Sequence, residues 1–394
     1  MLEINSAKRR KFTHLISGID EISEKCKKGI DEFPESLYNK RENVLSLRMR
    51  KVGCTIVTIK MISEACGLSI AAVSKALNGQ PGISQEKAAI VRRTAQEMGY
   101  YPNAAAQTLK TKRSFNIGIL FQNLLAHEYF SLILESIRQT AEEKNYDITF
   151  LGNRHTPGMS YYEHAMYRQC DGVIITQGNF DFEGVRRLAE SEIPVVSVEQ
   201  IFTGRTAVMS DNVGSMEEIV RYLYGLGHRR LAFIHGEMGD VTRARLTGFH
   251  RGCRACGIKI PDHWIVPARF QEPEDSIRAT RRLLEEKAPP DCILYPDDIS
   301  CIGGIAAVQG LGLSVPGDVS CFGFDGIRLA AVMTPSITTY RQNAQEIGRQ
   351  AAEELISAIE DPKCYVPRVI TVPGEIQPGG SVRDLNISET SEKE

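Results

Sequence analysis

The sequence lacks the long apolar runs that would place it in or across a membrane. No stretch of about 18 consecutive apolar residues occurs. The first residues lead into the basic run Lys8–Lys11 without the apolar segment and cleavage site of a secretory signal. We therefore expect a cytoplasmic protein with no membrane partner. Its 394 residues, 42% hydrophobic and 24% charged, are enough for two or three packed units.

Cysteine gives no sign of a disulfide framework. The ten cysteines are scattered, and in a reducing compartment we expect free thiols that act as small hydrophobic side chains. Cys253 and Cys256 have C-x-x-C spacing, yet a position late in a predicted helix does not stabilise thiolates. We predict no redox centre, no metal site and no cofactor.

Catalytic and phosphate-binding motifs are also missing. The patterns G-x-G-x-x-G, G-x-S-x-G and H-E-x-x-H do not occur. The eight histidines are few and unpaired in the sequence. Because no nucleophile stands beside a base, we do not predict an enzyme.

Charge is unevenly distributed, although the net charge is only -2. Residues 1–56 hold 12 Lys and Arg against 8 Asp and Glu, and residues 57–113 hold 8 against 3. The remaining residues hold 27 against 38. A basic amino-terminal part on an acidic body indicates a polyanion partner for the amino-terminal part only.

From Asn116 onward, short β-branched runs alternate with amphipathic helical stretches. Strands joined by crossover helices predict doubly wound parallel sheets covered on both faces, and the length favours two lobes over one sheet. The predicted strands are Ile117–Leu120, Asp147–Phe150, Gly172–Ile175, Pro194–Ser197, Leu231–Ile234, Cys292–Tyr295 and Ser320–Gly323.

Residues 57–101 instead predict a small all-helical unit. Thr58, Ser69 and Ser84 are placed to cap three successive helices, and Gly67 and Gly99 to end the first and third. Helix, tight turn, helix and supporting helix describe a helix-turn-helix, whose second helix enters the major groove of DNA. An ordinary helical hairpin is the alternative.

The outward residues of that second helix are the candidate base contacts. Lys75 is a strong hydrogen-bond donor that can reach O6 and N7 of a guanine. Ile70 and Ala71 offer apolar contact to a thymine methyl group, and Ser74 lies on the same face.

The order of motifs resembles the LacI/GalR family of bacterial transcriptional regulators over residues 57–381. The segments that carry the resemblance are Val57–Lys60, Ala65–Ser69, Ala72–Gly79, Ile83–Ser84, Met98–Ala104, Gly225–Arg230, Arg243–Phe249, Val315–Ser320 and Gly323–Asp325. The resemblance implies a two-lobed effector domain, like a periplasmic binding protein, behind the helix-turn-helix.

A hinge helix over Asn103–Lys110, inside a linker at 102–114, is also implied by the resemblance. Such a short helix is marginal alone, so it should order only against DNA and a second subunit. Leu109 would be the wedge that enters the minor groove and kinks the duplex; packing against the body is the alternative. Gln107 stands where the family usually has Arg. The full set of implied DNA contacts is Thr58, Ser69, Ile70, Ala71, Ala72, Ser74, Lys75, Asn78, Asn103, Ala106, Gln107, Leu109 and Lys110.

The resemblance places an effector in the cleft between the lobes. Arg245 would offer forked donors, and Asp298 would accept two hydroxyl hydrogen bonds; both could instead be surface ion-pair partners. Phe130 and Phe270 would be aromatic walls, or plain core, and Gln342 a polar contact on a crossing segment. Asp297 stands where the family usually has Asn, and a carboxylate facing the cleft would favour polyols or cations over anions.

We expect lobes at about 115–209 with 339–365 and about 210–338 with 366–381, followed by a tail at 382–394. Residues 1–56 are a basic appendage, or the reading frame has been started too early, with Met49 or Val57 as the alternative first residue.

Together these features predict a homodimeric transcriptional repressor that binds a pseudo-palindromic double-stranded DNA operator under the control of a small molecule, a sugar or sugar derivative. The alternatives are a cytosolic sugar-binding module and an α/β enzyme that processes sugars or nucleotides. The helical unit argues against the first, and the lack of a nucleophile and base against the second.

Overall fold

The computed structural model describes residues 57–101, 108, 112–121, 127–152, 158–177 and 182–387. The chain divides into two compact units between Asn103 and Ala104. The extension at 1–56 and most of the predicted hinge lie outside the described residues. Among the helices that are described, none is long and apolar enough to cross a membrane.

The first unit consists of three short helices with the predicted ends. The side chains of Thr58, Ser69 and Ser84 accept hydrogen bonds from backbone N–H groups in the first turn of each helix. Gly67 and Gly99 follow the first and third helices with φ of 64° and 68°, which favours glycine. The helices are α1 (Ile59–Cys66), α2 (Ile70–Leu77) and α3 (Gln85–Met98).

The core of this unit is small and made from one face of each helix. Ile62 of α1, Val73 and Ala76 of α2, and Val91 and Ala95 of α3 are buried together. This burial leaves the opposite face of α2 in solvent.

The second unit alternates strands and helices, as predicted. Its strands are β1 (Asn116–Phe121), β2 (Asp147–Leu151), β3 (Gly172–Gln177), β4 (Val195–Val198), β5 (Thr206–Ser210), β6 (Leu231–His235), β7 (Ile265–Pro267), β8 (Cys292–Leu294), β9 (Ser320–Asp325), β10 (Thr338–Arg341), β11 (Val369–Val372) and β12 (Glu375–Gln377). Its helices are α4 (Glu128–Glu143), α5 (Tyr161–Tyr167), α6 (Glu183–Glu190), α7 (Asn212–Gly225), α8 (Asp240–Ala255), α9 (Pro273–Leu284), α10 (Asp298–Gly310), α11 (Arg328–Val332) and α12 (Ala344–Glu360).

The first lobe is built on a parallel sheet in the order β11-β5-β4-β3-β1-β2. Its central strands β1, β3, β4 and β5 are largely buried because helices cover both faces, whereas the edge strands β2 and β11 are partly exposed. On one face, Ile117, Ile174 and Val196 pack against α4 and α12. On the other, Val173 and Val195 pack against α5 and α6.

The second lobe repeats this plan in the order β12-β10-β9-β8-β6-β7. All neighbours are parallel except β10 and β12, which are antiparallel. One face packs against α9, α10 and α11, and the other against α7 and α8. The fold class is therefore the predicted one, with one antiparallel edge strand added.

The lobe boundaries differ from the expected ones at two places. Val369–Val372, assigned to the second lobe, pairs with residues 207–210 of the first sheet. Residues 339–341, assigned to the first lobe, pair with β9 of the second sheet. The chain therefore crosses between the lobes three times, near residues 211, 343 and 373.

Candidate functional site

The exposed face of α2 carries most of the predicted base contacts that lie in the first unit. Ile70 is 52% exposed, and Ala71, Lys75 and Asn78 are exposed as well. Ser74 and Ala72 are half-buried. An exposed isoleucine beside an exposed lysine on the same helix fits a surface that contacts base edges.

Two other predicted DNA contacts also have structural roles. Thr58 Oγ1 accepts from Met61 N at 3.4 Å, and Ser69 Oγ accepts from Ala72 N at 3.2 Å. Both residues remain exposed. The predicted hinge contacts Asn103, Ala106, Gln107, Leu109 and Lys110 lie outside the described residues.

In the second unit, polar side chains meet where the parallel strands of both lobes end. His127 and Tyr129 follow β1, and Glu199 follows β4. From the other lobe, Asp297 follows β8 and Asp325 is the last residue of β9. The carboxyl ends of parallel strands at a lobe junction are a usual place for ligands.

Arg245 is the most firmly held of the predicted effector contacts. Its Nε donates to Asn212 Oδ1 at 2.8 Å, and its Nη1 donates to the carbonyl of Pro296 at 2.7 Å. The guanidinium carbon lies 3.5 Å from the ring centroid of Phe324. Burial lowers the pKa of this guanidinium, while the charge of Asp325 acts in the opposite direction. Arg245 is thus a buried residue of the cleft wall and not a surface ion-pair partner.

Phe270 and Phe130 lie in different surroundings. Phe270 is half-buried, with its ring centroid 5.9 Å from the Arg245 guanidinium. A Cβ on Gly236 would lie 2.1 Å from the Phe270 ring, so glycine makes room for this wall. Phe130 packs against the core of the first lobe, which fits the plain-core alternative.

The placement of Asp298 differs from the expectation that it accepts effector hydroxyls. It is fully buried, and its Oδ2 accepts from the backbone N–H groups of Gly326 and Ile327, each at 2.9 Å. Burial raises the pKa of this carboxyl well above its usual value. The side chain anchors the turn after β9 through its Oδ2, which already has these two donors.

Asp297, the preceding residue, is a buried carboxylate with several hydrogen-bond donors around it. Its oxygens accept from the N–H and hydroxyl of Ser300, at 2.8 and 3.0 Å, and from Gln271 N at 2.8 Å. Burial, followed by repulsion from Asp325, raises its pKa to about 6. The Asp297 carboxylate therefore caps α10, and the charge of Asp325 in the cleft also acts on it.

Asp325 was not among the predicted contacts, although the motif that contains it was noted. Its φ of 111° is strained for a residue with a side chain. Gln342 Nε2 donates to its Oδ1 at 2.6 Å, and His127 Nε2 lies 3.3 Å from its Oδ2. A strained, buried carboxylate held from both lobes is typical of a functional site.

Gln342 connects Asp325 to a second carboxylate in the first lobe. Ser210 Oγ donates to Gln342 Oε1, and Ser210 N donates to Glu199 Oε1 at 2.8 Å. Tyr129 OH donates to the same Glu199 oxygen at 2.9 Å. No local pattern in the sequence connects these five residues, because each comes from a different part of the chain.

The lobes also touch on both sides of the polar network. On one side, Arg328 N donates to Glu128 Oε2 at 3.0 Å, and Arg328 Nε lies 3.3 Å from Glu128 Oε1. On the other side, Ile201 N donates to Asp240 Oδ2 at 3.1 Å. A cavity of about 480 Å³ beside the crossing segments is bordered by Tyr129, Asp325 and Gln342.

Within the described part of the chain, no three His, Cys, Asp or Glu side chains are grouped to bind a metal ion. Cys253 of the C-x-x-C pair is buried, and burial raises the pKa of its thiol to about 12. Such a thiol is unreactive at neutral pH.

The fold and the cleft define a class, namely two-lobed binding domains with a ligand between parallel sheets. A family model for periplasmic binding protein-like domains matches residues 220–382. Among solved structures, the Lac repressor dimer bound to operator and anti-inducer aligns with a TM-score of 0.71 at 21% identity, covering 84% of this chain and all of that one. A complex of the transcriptional regulator CelR with cellobiose aligns with a TM-score of 0.61 at 21% identity, covering 82% and 99%.

Sequence relatives give the family. The transcriptional repressor PurR of Klebsiella pneumoniae (strain 342) is 30% identical over 312 residues, which cover 77% of this chain and 91% of PurR. Catabolite control protein A of Priestia megaterium is 26% identical, covering 82% and 98%. The chain belongs to the LacI/GalR family of transcriptional regulators.

Proposed function

We propose that this chain is a cytoplasmic repressor that binds operator DNA as a homodimer and responds to a small molecule held between its lobes. The observation that carries the proposal is the polar network at the strand ends, in which Gln342 on a crossing segment bonds to Asp325 and Ser210 of opposite lobes. A ligand that changes these contacts changes the relative position of the lobes. Through this shift in population, ligand binding in the cleft would change the DNA affinity of the helical units.

On the DNA side, α2 would lie in the major groove with Lys75 toward a guanine and Ile70 and Ala71 toward thymine methyl groups. The hinge residues, Leu109 above all, would act in the minor groove. A two-fold symmetric dimer would read a pseudo-palindromic operator.

The effector we propose is a hydroxyl-rich compound without negative charge, such as a sugar or sugar derivative. Asp297 and Asp325 border the cleft from one lobe and Glu199 from the other. Arg245, on α8 of the second lobe, is a buried cation of the cleft wall, and its Nε and Nη1 already donate to protein acceptors. Carboxylates accept hydroxyl hydrogen bonds well and repel anions in a desolvated site.

The surface between copies would be the groove between α4 and the edge strand β2. This groove has a volume of about 540 Å³ and is bordered by Leu134, Ile148 and Phe150. Phe150 is 56% exposed. Exposed aromatic residues beside an apolar groove are typical of interface cores.

The test is selection of binding sites from random double-stranded DNA by the full chain, followed by Lys75→Ala. We expect a two-fold symmetric consensus, and we expect the substitution to cost about 1–3 kcal/mol of discrimination at one base pair per half-site. The matched control is Lys87→Ala, which removes the same charge from an exposed position on the supporting helix α3. Recovery of no consensus, or an equal loss in both variants, would contradict the proposal.

A further inference from the structure

His127 occupies an unusual position between the lobes. It immediately precedes α4 of the first lobe and is only 8% exposed. Its Nε2 lies 3.3 Å from Oδ2 of Asp325, the last residue of β9 in the second lobe. The contact therefore joins two lobes through residues 198 positions apart in the chain, and it exists only while the lobes are together.

The surroundings of the imidazole are acidic on one side and aromatic on the other. Asp325 and Asp297 act on it from the second lobe, and Glu128 acts on it from its own helix. The rings of Tyr129 and Phe130 lie 6.3 and 5.5 Å away, centroid to centroid. Among the described residues, neither ring nitrogen has a hydrogen-bond partner of good geometry, and the 3.3 Å approach of Nε2 to Asp325 Oδ2 is an ion-pair contact.

Burial lowers the pKa of His127, but contact with Asp325 and the charges of Asp297 and Glu128 outweigh it, so the pKa is raised overall. Separation of the lobes would remove both aspartates of the second lobe from the imidazole. The proton is therefore bound more tightly in the closed arrangement than in an open one. By linkage, a group bound more tightly in one state stabilises that state when protonated.

We propose that His127 is a proton-dependent positioning residue of the cleft, whose protonated imidazole holds Asp325 across the lobe junction and favours the closed arrangement. Closure gains the full contribution at pH values below the pKa of the open state. It loses that contribution as pH rises through the higher pKa of the closed state. Since histidine titrates near neutrality, the lobe junction responds to pH in the physiological range. The effect on DNA affinity rests on the proposed function, whereas the effect on closure does not.

The test is hydrogen exchange of the full chain, without DNA or effector, at about pH 6 and about pH 8 after correction for intrinsic rates. The informative amides are those of the first turns of α4 and the turn at Gly326 and Ile327. We expect slower exchange at the lower pH, by about tenfold for each unit by which closure raises the pKa of His127.

His127→Gln should abolish this pH dependence while leaving the exchange of the two sheets unchanged. The matched control is His263→Gln, because His263 is exposed and pairs with Glu286 within the second lobe; it should behave like the unmodified chain. Exchange that is equal at both pH values, or a pH dependence that persists in His127→Gln, would overturn the proposal.

If His127→Gln does not fold, NMR titration of the imidazole decides the matter in the unmodified chain and in Asp325→Asn. We expect the pKa of His127 to fall on removal of the Asp325 charge, and an unchanged value would refute the pairing. Loss of sequence-specific DNA binding would count against the proposed function alone, because neither measurement uses DNA.

Discussion

Asp297 shows how a single side chain can carry opposing demands. It caps α10 and holds Gln271, yet it is almost fully buried beside another carboxylate. The hydrogen bonds favour its charged form, whereas burial and Asp325 oppose it, and the opposition prevails. A capping residue beside a ligand cleft can therefore stabilise a helix, although its ionised form lowers the stability of the folded protein.

We expect Asp297→Asn to change the pH dependence of stability. The pKa of Asp297 rises from 3.8 to about 6 on folding, so the folded state binds the proton more tightly. Stability contributed by the protonated form is lost as pH increases from about 4 to about 6. The unmodified chain should therefore lose stability over this interval, whereas Asp297→Asn should not. The difference between their free energies of unfolding should change in favour of Asp297→Asn by at most about 3 kcal/mol. Urea unfolding across the interval measures it.

Asp318→Asn is the control of opposite sign. Asp318 is exposed, and hydrogen bonds from Ser314 lower the pKa of its carboxyl. Its contribution is present above the unfolded pKa of about 4 and is lost only as pH falls below it, so between pH 4 and 6 Asp318→Asn should follow the same pH dependence as the unmodified chain. Parallel curves for Asp297→Asn and the unmodified chain would show that Asp297 does not titrate in this range.

The sequence located the acidic residues near the cleft but not their directions. Asp297 and Asp298 are adjacent after β8, yet Asp297 caps α10 and Asp298 holds the turn after β9. Arg245 is buried in the cleft wall, and its contact with an effector stays a prediction. Glu199, His127 and Asp325 were missed because their partners come from distant segments and because a positive φ leaves no mark in composition.

At the scale of elements, local chemistry was the reliable guide. All three helices of the first unit begin at the predicted caps. The seven predicted strands are all present. Six of them are largely buried on both faces, whereas the edge strand β2 exposes Asp147 and Phe150. The strands that were missed are short or partly polar, and only pairing with distant neighbours makes them strands; they are β5, β7, β10, β11 and β12.

Removal of a cap should loosen one helix without unfolding the body. Ser84→Ala leaves Lys87 N, at the start of α3, without its side-chain acceptor. We expect a loss of about 1 kcal/mol, which corresponds to about fivefold faster amide exchange across α3 in the full chain. Gln85→Ala at the next, exposed position should change exchange very little. Equal acceleration by both substitutions would contradict the capping role.

At the scale of the whole molecule, the two edges of the first sheet differ in what lies beside them. The β2 edge adjoins the apolar groove with Phe150. The β11 edge exposes Val369, which is 52% exposed. The proposed assembly uses only the β2 edge.

Phe150→Glu should therefore weaken dimerisation. A charge in the centre of an apolar interface costs about 2 kcal/mol or more, which corresponds to about a thirtyfold higher dissociation constant. Analytical ultracentrifugation over a range of concentrations measures it. Val369→Glu on β11 is the matched control and should leave self-association unchanged. A dimer that tolerates Phe150→Glu but not Val369→Glu would place the contact on the other edge.

The three crossings between lobes give each lobe a discontinuous sequence. Strand β11 and helix α12, both needed to complete the first sheet and its cover, come after every parallel strand of the second sheet. During translation, the first lobe therefore cannot complete its sheet until β11 has been synthesised. Helices α1–α3, by contrast, are synthesised before either lobe. A nascent chain thus acquires its helical unit well before it acquires the cleft, and sensing is the last ability to mature during synthesis.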